Sequence, residues 1–305
     1  MTPRNAPSRV TLASALATER PLVTPLAHDA LSARMIARAG FRAFTIGGSA
    51  MLAARYALPD LGLVGLADMV AGIRDIAGVT ALPFMADGDD GYGDVKATVR
   101  MVHAYEDIGV GGILIEDQQR DVKQQRADQA RSVAERPVIE QKLRAALAER
   151  RSADTLIIGR TDAYGVHGLD EALQRATRFV ELGCEGVFVA GLRTLDDFER
   201  VGRTLKGVPL LSAALFETPG TPWPSPRELG DMGFTQVSYP ASMIFRVTAA
   251  LEAGLADLRR HATGEAEMVR DPRLVAARGA LDQALDVAGW QRIEAGYATA
   301  PDAAR

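Results

Sequence analysis

A chain of 305 residues with 47% hydrophobic content is long enough to bury a substantial core, either as two ordinary domains or as one α/β barrel. A formal net charge of −4, with Lys and Arg scattered along the chain, provides no basic patch for a nucleic acid, and the apolar runs fall far short of the ~20 residues that span a bilayer. The opening "MTPRNAPSRVTLASALATERP" lacks the apolar core of a secretory signal, and a single cysteine, Cys184, excludes an internal disulfide framework, so a soluble cytoplasmic protein is expected.

In chain order, residues 1–19 read as an N-terminal extension. Short β-rich segments then recur: "PLVTPLA", "AFTIGG", "ALPFMAD", "GILIEDQ", "TLIIGRTD", "GVFVAG", "VPLLSA" and "TQVSYP". Each leads into a Gly- or Asp-containing loop and then an amphipathic stretch. Residues 94–108 show the pattern: Asp94 is placed to cap a helix whose Thr98, Met101, Val102, Tyr105 and Ile108 share one face. Strands alternating with helices predict a parallel sheet, and eight such units predict closure into a (β/α)8 TIM-type barrel over residues 20–250. A doubly wound open sheet is the alternative. Residues 251–305 are rich in Ala, Arg and Glu and read as a helical segment accessory to the barrel.

The stretch "ADGDDGYGD" follows the third strand directly. Asp and Gly gather in surface turns for conformational reasons alone, but in a β/α barrel the residues just after each strand line the C-terminal rim where active sites are built. The same rim collects Gly47, Gly48 and Ser49 after the second strand. Glu116 and Asp117 come from the fourth, Arg160 and Asp162 from the fifth. Such oxygen donors suit Mg²⁺, which binds through one or two carboxylates and keeps several waters; a softer metal asks for His or Cys, and neither stands at these positions. Rim carboxylates also pair with arginines for purely structural reasons.

The segments "AGFRAFTIGGSAMLAARYALPDLGLVGLADM", "ADGDDGYGD", "IEDQ", "GRTDAYGVHGLDEALQRA" and "SYPASMIFR", in that order, resemble the isocitrate lyase/phosphoenolpyruvate mutase superfamily over about residues 20–250. The resemblance implies a (β/α)8 barrel with an eighth helix swapped between subunits, and a homotetramer built as a dimer of dimers around Mg²⁺, with Mn²⁺ as a substitute. It implies Asp87 as the direct metal ligand, with Asp60, Asp89 and Glu116 holding metal-bound waters. Arg160 falls at the carboxylate-binding arginine, and Gly47 and Gly48 at the amide cradle for the substrate.

The chain departs from the lyases of that family at informative places. Their loop after "EDQ" carries "KRCGH", with the cysteine as an acid; here it reads "QQRDVKQQRADQARSVAERP". Cys184 precedes an apolar strand and reads as structural. Ala190 and Gly191 stand where those lyases carry Glu, and Ser212 and Ala213 where they carry Asn. The motifs "GGS", "ADGD-x-GYG" and "VAGL" resemble the oxaloacetate decarboxylase branch, although Asp90 replaces a His there. The expected function is Mg-dependent carbon–carbon cleavage, by decarboxylation of a small anionic 2-oxo dicarboxylate through a metal-stabilised enolate. Ser49 or Tyr239 would supply the last proton.

The alternatives are a lyase of the methylisocitrate or dimethylmalate type acting on a 2-hydroxy diacid, a phosphonate-processing enzyme, and a non-catalytic dicarboxylate-binding barrel. Tyr92 can close over a substrate or pack beneath its loop. His28 and His103 read as packing or surface residues, because neither belongs to a metal-spaced pair. Lys123 lies in a charge-rich gating loop and reads as solvated. An empty rim is expected to be strongly anionic.

Overall fold

The computed structural model describes residues 10–124, 129–267 and 271–297. The chain forms two compact units, one ending at Arg246 and one running from Val247. In the first, strands stand at all eight predicted places: β1 (Leu22–Pro25), β2 (Phe44–Ile46), β3 (Phe84–Asp87), β4 (Gly112–Glu116), β5 (Leu156–Thr161), β6 (Gly186–Val189), β7 (Leu210–Ala214) and β8 (Gln236–Tyr239). All neighbours are parallel, and their spatial order from β2 to β8 is their sequence order, with β1 beside β8. A bridge between Leu26 and Thr45, with the Ala27 N–H donating to Thr45 O at 2.9 Å, brings β1 round to β2. The sheet therefore closes on itself as a (β/α)8 barrel. A doubly wound sheet would have kept two edges open.

Helices cover the outside, so the strands are buried on both faces and read as near-continuous apolar runs. The helix predicted at 94–108 is Val95–Ile108. The Asp94 carboxylate accepts from the N–H groups of Lys96 and Ala97, and the helix ends at Gly109, whose φ of 86° is in the left-handed region. Its buried face carries Thr98, Met101, Val102 and Tyr105, as its periodicity predicts.

At the N-terminal end of the barrel, the helix Leu12–Thr18 packs Leu12, Ala15 and Leu16 in one cluster with Leu22, Met85, Leu156, Ile158 and Leu210. Leu12 is fully buried, and a Cβ on Gly112 would come within 2.8 Å of its Cδ2. That close approach is the reason for glycine at the start of β4. The second unit contains the remainder of the helix Ser242–Ala262 and the helices Pro272–Ala284 and Val287–Tyr297, with Leu251, Leu255, Leu274, Val275 and Trp290 exposed. Among the described residues no helix is long and apolar enough to cross a membrane.

Candidate active site

The C-terminal ends of β2 to β5 bring the predicted charged residues together. Directly after β2, Gly47 caps the helix Gly48–Tyr56, and the Gly48 N–H points at Asp87 Oδ2, 3.4 Å away. A Cβ on Gly48 would stand 3.2 Å from Asp60 Oδ2 and 3.5 Å from Asp87 Oδ2. Lacking one, Gly48 lets two carboxylates and a backbone amide share a small volume.

The loop after β3 shows why the aspartates come with glycines. Asp87 Oδ1 accepts from the Asp89 N–H at 3.0 Å, and Asp89, Gly91, Tyr92 and Gly93 all take positive φ. Two of these, Asp89 at 52° and Tyr92 at 61°, have side chains and cost about 1–3 kcal/mol each. The loop is held from below. The Tyr105 hydroxyl donates to Asp87 O at 2.8 Å, the Tyr92 hydroxyl lies 3.2 Å from that of Tyr105, and Lys142 Nζ donates to Asp90 O at 2.6 Å. Tyr92 thus packs beneath its loop.

Arg160, at the end of β5, is clamped by its own strand end. Its Nε and Nη2 donate to the two oxygens of Asp162 at 3.0 and 2.9 Å, and Nη1 lies 2.7 Å from Glu116 Oε2. Donor hydrogens remain on both terminal nitrogens. Behind this pair, Asp117 accepts from Thr161 Oγ1 at 2.7 Å, from the Asp162 N–H at 2.8 Å and from Arg175 Nη1 at 3.1 Å. Burial pushes the Asp117 carboxyl up to about 6, with Asp162 adding to the shift and Arg175 opposing it.

Lys123 corrects the reading of its segment as solvated. The short 3-10 turn Arg120–Val122 carries the chain back over the mouth, and Lys123 is only 6% exposed. Its Nζ stands 3.0 Å from Glu116 Oε1 and 3.3 Å from Asp60 Oδ1, and it donates to Asp89 Oδ1. Arg120 also bonds Asp89, reaches Gly62 O at 3.1 Å and Val64 O, and lies over the Tyr92 ring. Four acids crowded in a water-poor mouth attract the nearest ammonium that the chain can deliver. The mouth is accordingly not the strongly anionic rim expected. Asp60, Asp87, Asp89, Glu116 and Asp162 face Arg120, Lys123 and Arg160, which leaves two negative charges over when all are ionised.

Burial dominates the proton equilibria. It drives Glu116 well above the usual carboxylate range, against the pull of Arg160 and Lys123, and it raises Asp60 despite Lys123. Asp89 is buried too, but Lys123 and Arg120 outweigh that and hold it low. Burial would strip the proton from Lys123, yet Glu116, Asp89, Asp87 and Asp60 keep it charged.

The donor set suits a hard divalent ion held through one carboxylate and waters. Both Glu116 oxygens are buried without an aligned hydrogen bond, since the contacts to Lys123 and Arg160 are close but poorly directed; Asp60 shares Lys123 with Glu116 and shares the space beside Gly48 with Asp87. Among the described residues no three His, Cys, Asp or Glu are already spaced as a complete protein cage. The residues fit an ion that keeps its waters.

The other predicted residues are not bonded into the cluster among the described residues. Ser49 sits in the first turn of the helix Gly48–Tyr56, beside the cluster. Tyr239 ends β8 with its ring 5.6 Å from Trp223, and no hydrogen bond or ion pair ties it to the acidic cluster among the described residues. His28 is buried after β1 with Nδ1 unpartnered, and burial lowers its pKa. His103 bonds Glu149 O at 2.7 Å. Cys184 is buried just ahead of β6, and burial pushes its thiol up to about 12. The sequence reading missed Arg120, Tyr105 and Arg175 as parts of the site. A buried tyrosine hydroxyl needing a partner was the one available signal for Tyr105.

Together these features define a parallel (β/α)8 barrel whose C-terminal mouth gathers carboxylates, cations and a helix-start amide. The family model described as phosphoenolpyruvate phosphomutase matches residues 12–259, and the chain belongs to the phosphoenolpyruvate mutase/isocitrate lyase superfamily. A probable 2-methylisocitrate lyase 2 of Corynebacterium glutamicum is 35% identical over 250 residues, covering 82% of this chain and 80% of that protein. The 2,3-dimethylmalate lyase of Eubacterium barkeri is 33% identical, covering 77% and 81%. Among solved structures, oxaloacetate acetylhydrolase in complex with the inhibitor 3,3-difluorooxalacetate superposes with a TM-score of 0.85 at 26% identity, over 94% of this chain and 96% of that one.

Proposed function

We propose that this chain is a divalent-metal-dependent lyase that cleaves a carbon–carbon bond of a small 2-oxo dicarboxylate, most simply by decarboxylating an oxaloacetate-like diacid. The observation that carries the reading is the make-up of the mouth. Carboxylates, Arg160 and the Gly48 amide converge there, while the segment 118–136 contains neither Cys nor His and the one thiol, Cys184, lies buried ahead of β6. Cleavage of an aldol type needs a base for the hydroxyl and an acid for the departing carbon; loss of CO₂ from a 2-oxo diacid needs orientation and an electron sink.

Asp87 would hold Mg²⁺ or Mn²⁺ directly, with Asp60, Asp89 and Glu116 on its waters, and the bound ion would supply the electron-withdrawing charge beside the 2-oxo group. Arg160, fixed by Asp162, directs its remaining N–H groups at a substrate carboxylate and sets the angle of the breaking bond. The Gly47–Gly48 helix start offers amide donors to the other end. When the carboxyl group leaves, its bond pair stays on the substrate carbon, and Ser49 or Tyr239 returns a proton there. The neighbour solved with 3,3-difluorooxalacetate supports a 2-oxo diacid. The relatives named as lyases favour a second reading, cleavage of a 2-hydroxy diacid.

The same proposal includes a cytoplasmic homotetramer with an exchanged eighth helix, supported by the exposed Leu251, Leu255, Leu274 and Trp290. Light scattering on purified protein checks the mass. For the reaction, EDTA-treated protein is assayed for pyruvate release over a panel of 2-oxo and 2-hydroxy diacids with and without Mg²⁺. Mg²⁺-dependent turnover of a 2-oxo diacid supports decarboxylation, and turnover confined to 2-hydroxy diacids replaces it with the second reading.

A further inference from the structure

Lys123 occupies a position that a resident cation would need. Its ammonium touches carboxylates from three separate parts of the mouth: Asp60 ahead of the helix Leu66–Ala77, Asp89 after β3, and Glu116 at the end of β4. These are the carboxylates that the proposed metal reading assigns to the waters of a divalent ion, beside the direct ligand Asp87. An ammonium in contact with them and a doubly charged ion at their centre repel strongly where little water screens them. The two compete for the same carboxylates.

We propose that the Lys123 ammonium is a built-in stand-in for the metal, and that divalent-ion binding expels it and shifts the turn Gln119–Lys123 away from the mouth. The inference rests on the metal reading above but makes a separate claim. The turn is held more by side chains than by its own backbone: Gln124 Nε2 donates to Val122 O at 3.0 Å and to Lys123 O at 3.1 Å, and the Gln124 N–H donates to Gln118 Oε1 at 2.7 Å. Its backbone bonds are Val122 N–H to Gln119 O and Lys123 N–H to Arg120 O, both 3.3 Å, and Gln119 N–H to Ser132 O at 3.2 Å. Gln118, Gln119, Arg120 and Asp121 line one wall of a cavity of about 590 Å³ that also reaches Glu116, which gives the turn space to move into. Arg120, anchored at Gly62 and Val64, makes a second hold on Asp89 and serves as the pivot. The device offsets part of the acidic charge until metal enters, and it couples metal entry to opening of the segment beside the substrate position.

The test uses the full-length protein with Mn²⁺ as the probe. Lysine acetylation is followed by mass spectrometry in EDTA and in saturating Mn²⁺, with the exposed Lys96 as internal reference. Lys123 should be labelled at least fivefold faster with Mn²⁺ while Lys96 is unchanged. Mn²⁺ affinity, measured by electron paramagnetic resonance, should tighten at least tenfold in Lys123→Met, which loses the competitor. Mn²⁺ bound by wild type with no rise in Lys123 labelling overturns the inference and leaves the metal site standing, even if Lys123→Met binds more tightly. Absence of Mn²⁺ binding in both proteins overturns the metal reading and this inference together. The labelling arm needs no variant, so a folding defect in Lys123→Met does not remove the test.

Discussion

The two ends of the barrel are made from the same strands and have opposite chemistry. In β4, Gly112 lies against Leu12 in an apolar plug, and four residues later Glu116 meets Arg160 and Lys123. In β5, Leu156 and Ile158 belong to the plug while Arg160 faces the carboxylates. Parallel strands all point one way, so every strand end that can bear a variable loop collects at one mouth, and the other end is left to close the core. The base is packed with apolar side chains. The mouth carries positive φ at Asp89 and Tyr92, buried charges and poorly directed contacts on Glu116, which are costs that a structure bears where they serve binding.

If the division is real, damage at one end should leave the other's property intact. The largest effect is expected from Arg160→Ala, which should lower kcat/KM on the best diacid by about 10³-fold, or ~4 kcal/mol, while the protein still melts cooperatively. A loss under tenfold would break the assignment of the mouth. Leu12→Ala should do the reverse, costing about 3 kcal/mol of stability in urea titration with turnover per folded molecule retained.

Mg²⁺ in large excess over its Kd should stabilise wild type by about 2–3 kcal/mol, seen as a raised Tm, and Asp87→Ala should show no response. An equal response in both proteins would move the ion elsewhere. The smallest effect belongs to Cys184. Cys184→Ser should stay within about threefold of wild-type turnover, ~0.7 kcal/mol. Because burial raises this thiol to about 12, its contribution to stability is complete below the unfolded thiol pKa and is lost as pH climbs from about 9 through 12. Native protein at pH 8 should therefore resist alkylation that proceeds readily in denaturant, and wild type should lose stability more steeply than Cys184→Ser above pH 9.

Much of the molecule was legible along the chain. Apolar runs bounded by Gly and Asp located all eight strands, Asp94 marked the start of a helix, and a parallel barrel placed Gly48, Asp87, Glu116 and Arg160 at one rim. These are local or period-based properties, set by burial pattern, capping and strand direction, each spanning a few residues. What the tertiary structure alone decided is which long side chains reach across. Lys123 stands seven residues beyond the end of β4 in a polar run with no period, and its destination depends on how the turn Arg120–Val122 folds back and on acids from three distant segments. Tyr105 was legible as a core residue, but its hydroxyl's bond to Asp87 O joins positions eighteen apart. Charge attraction and hydrogen-bond satisfaction act through space over a few ångströms, so the pairing of Lys123 with Asp60, Asp89 and Glu116 exists only once the barrel has brought those groups to one mouth.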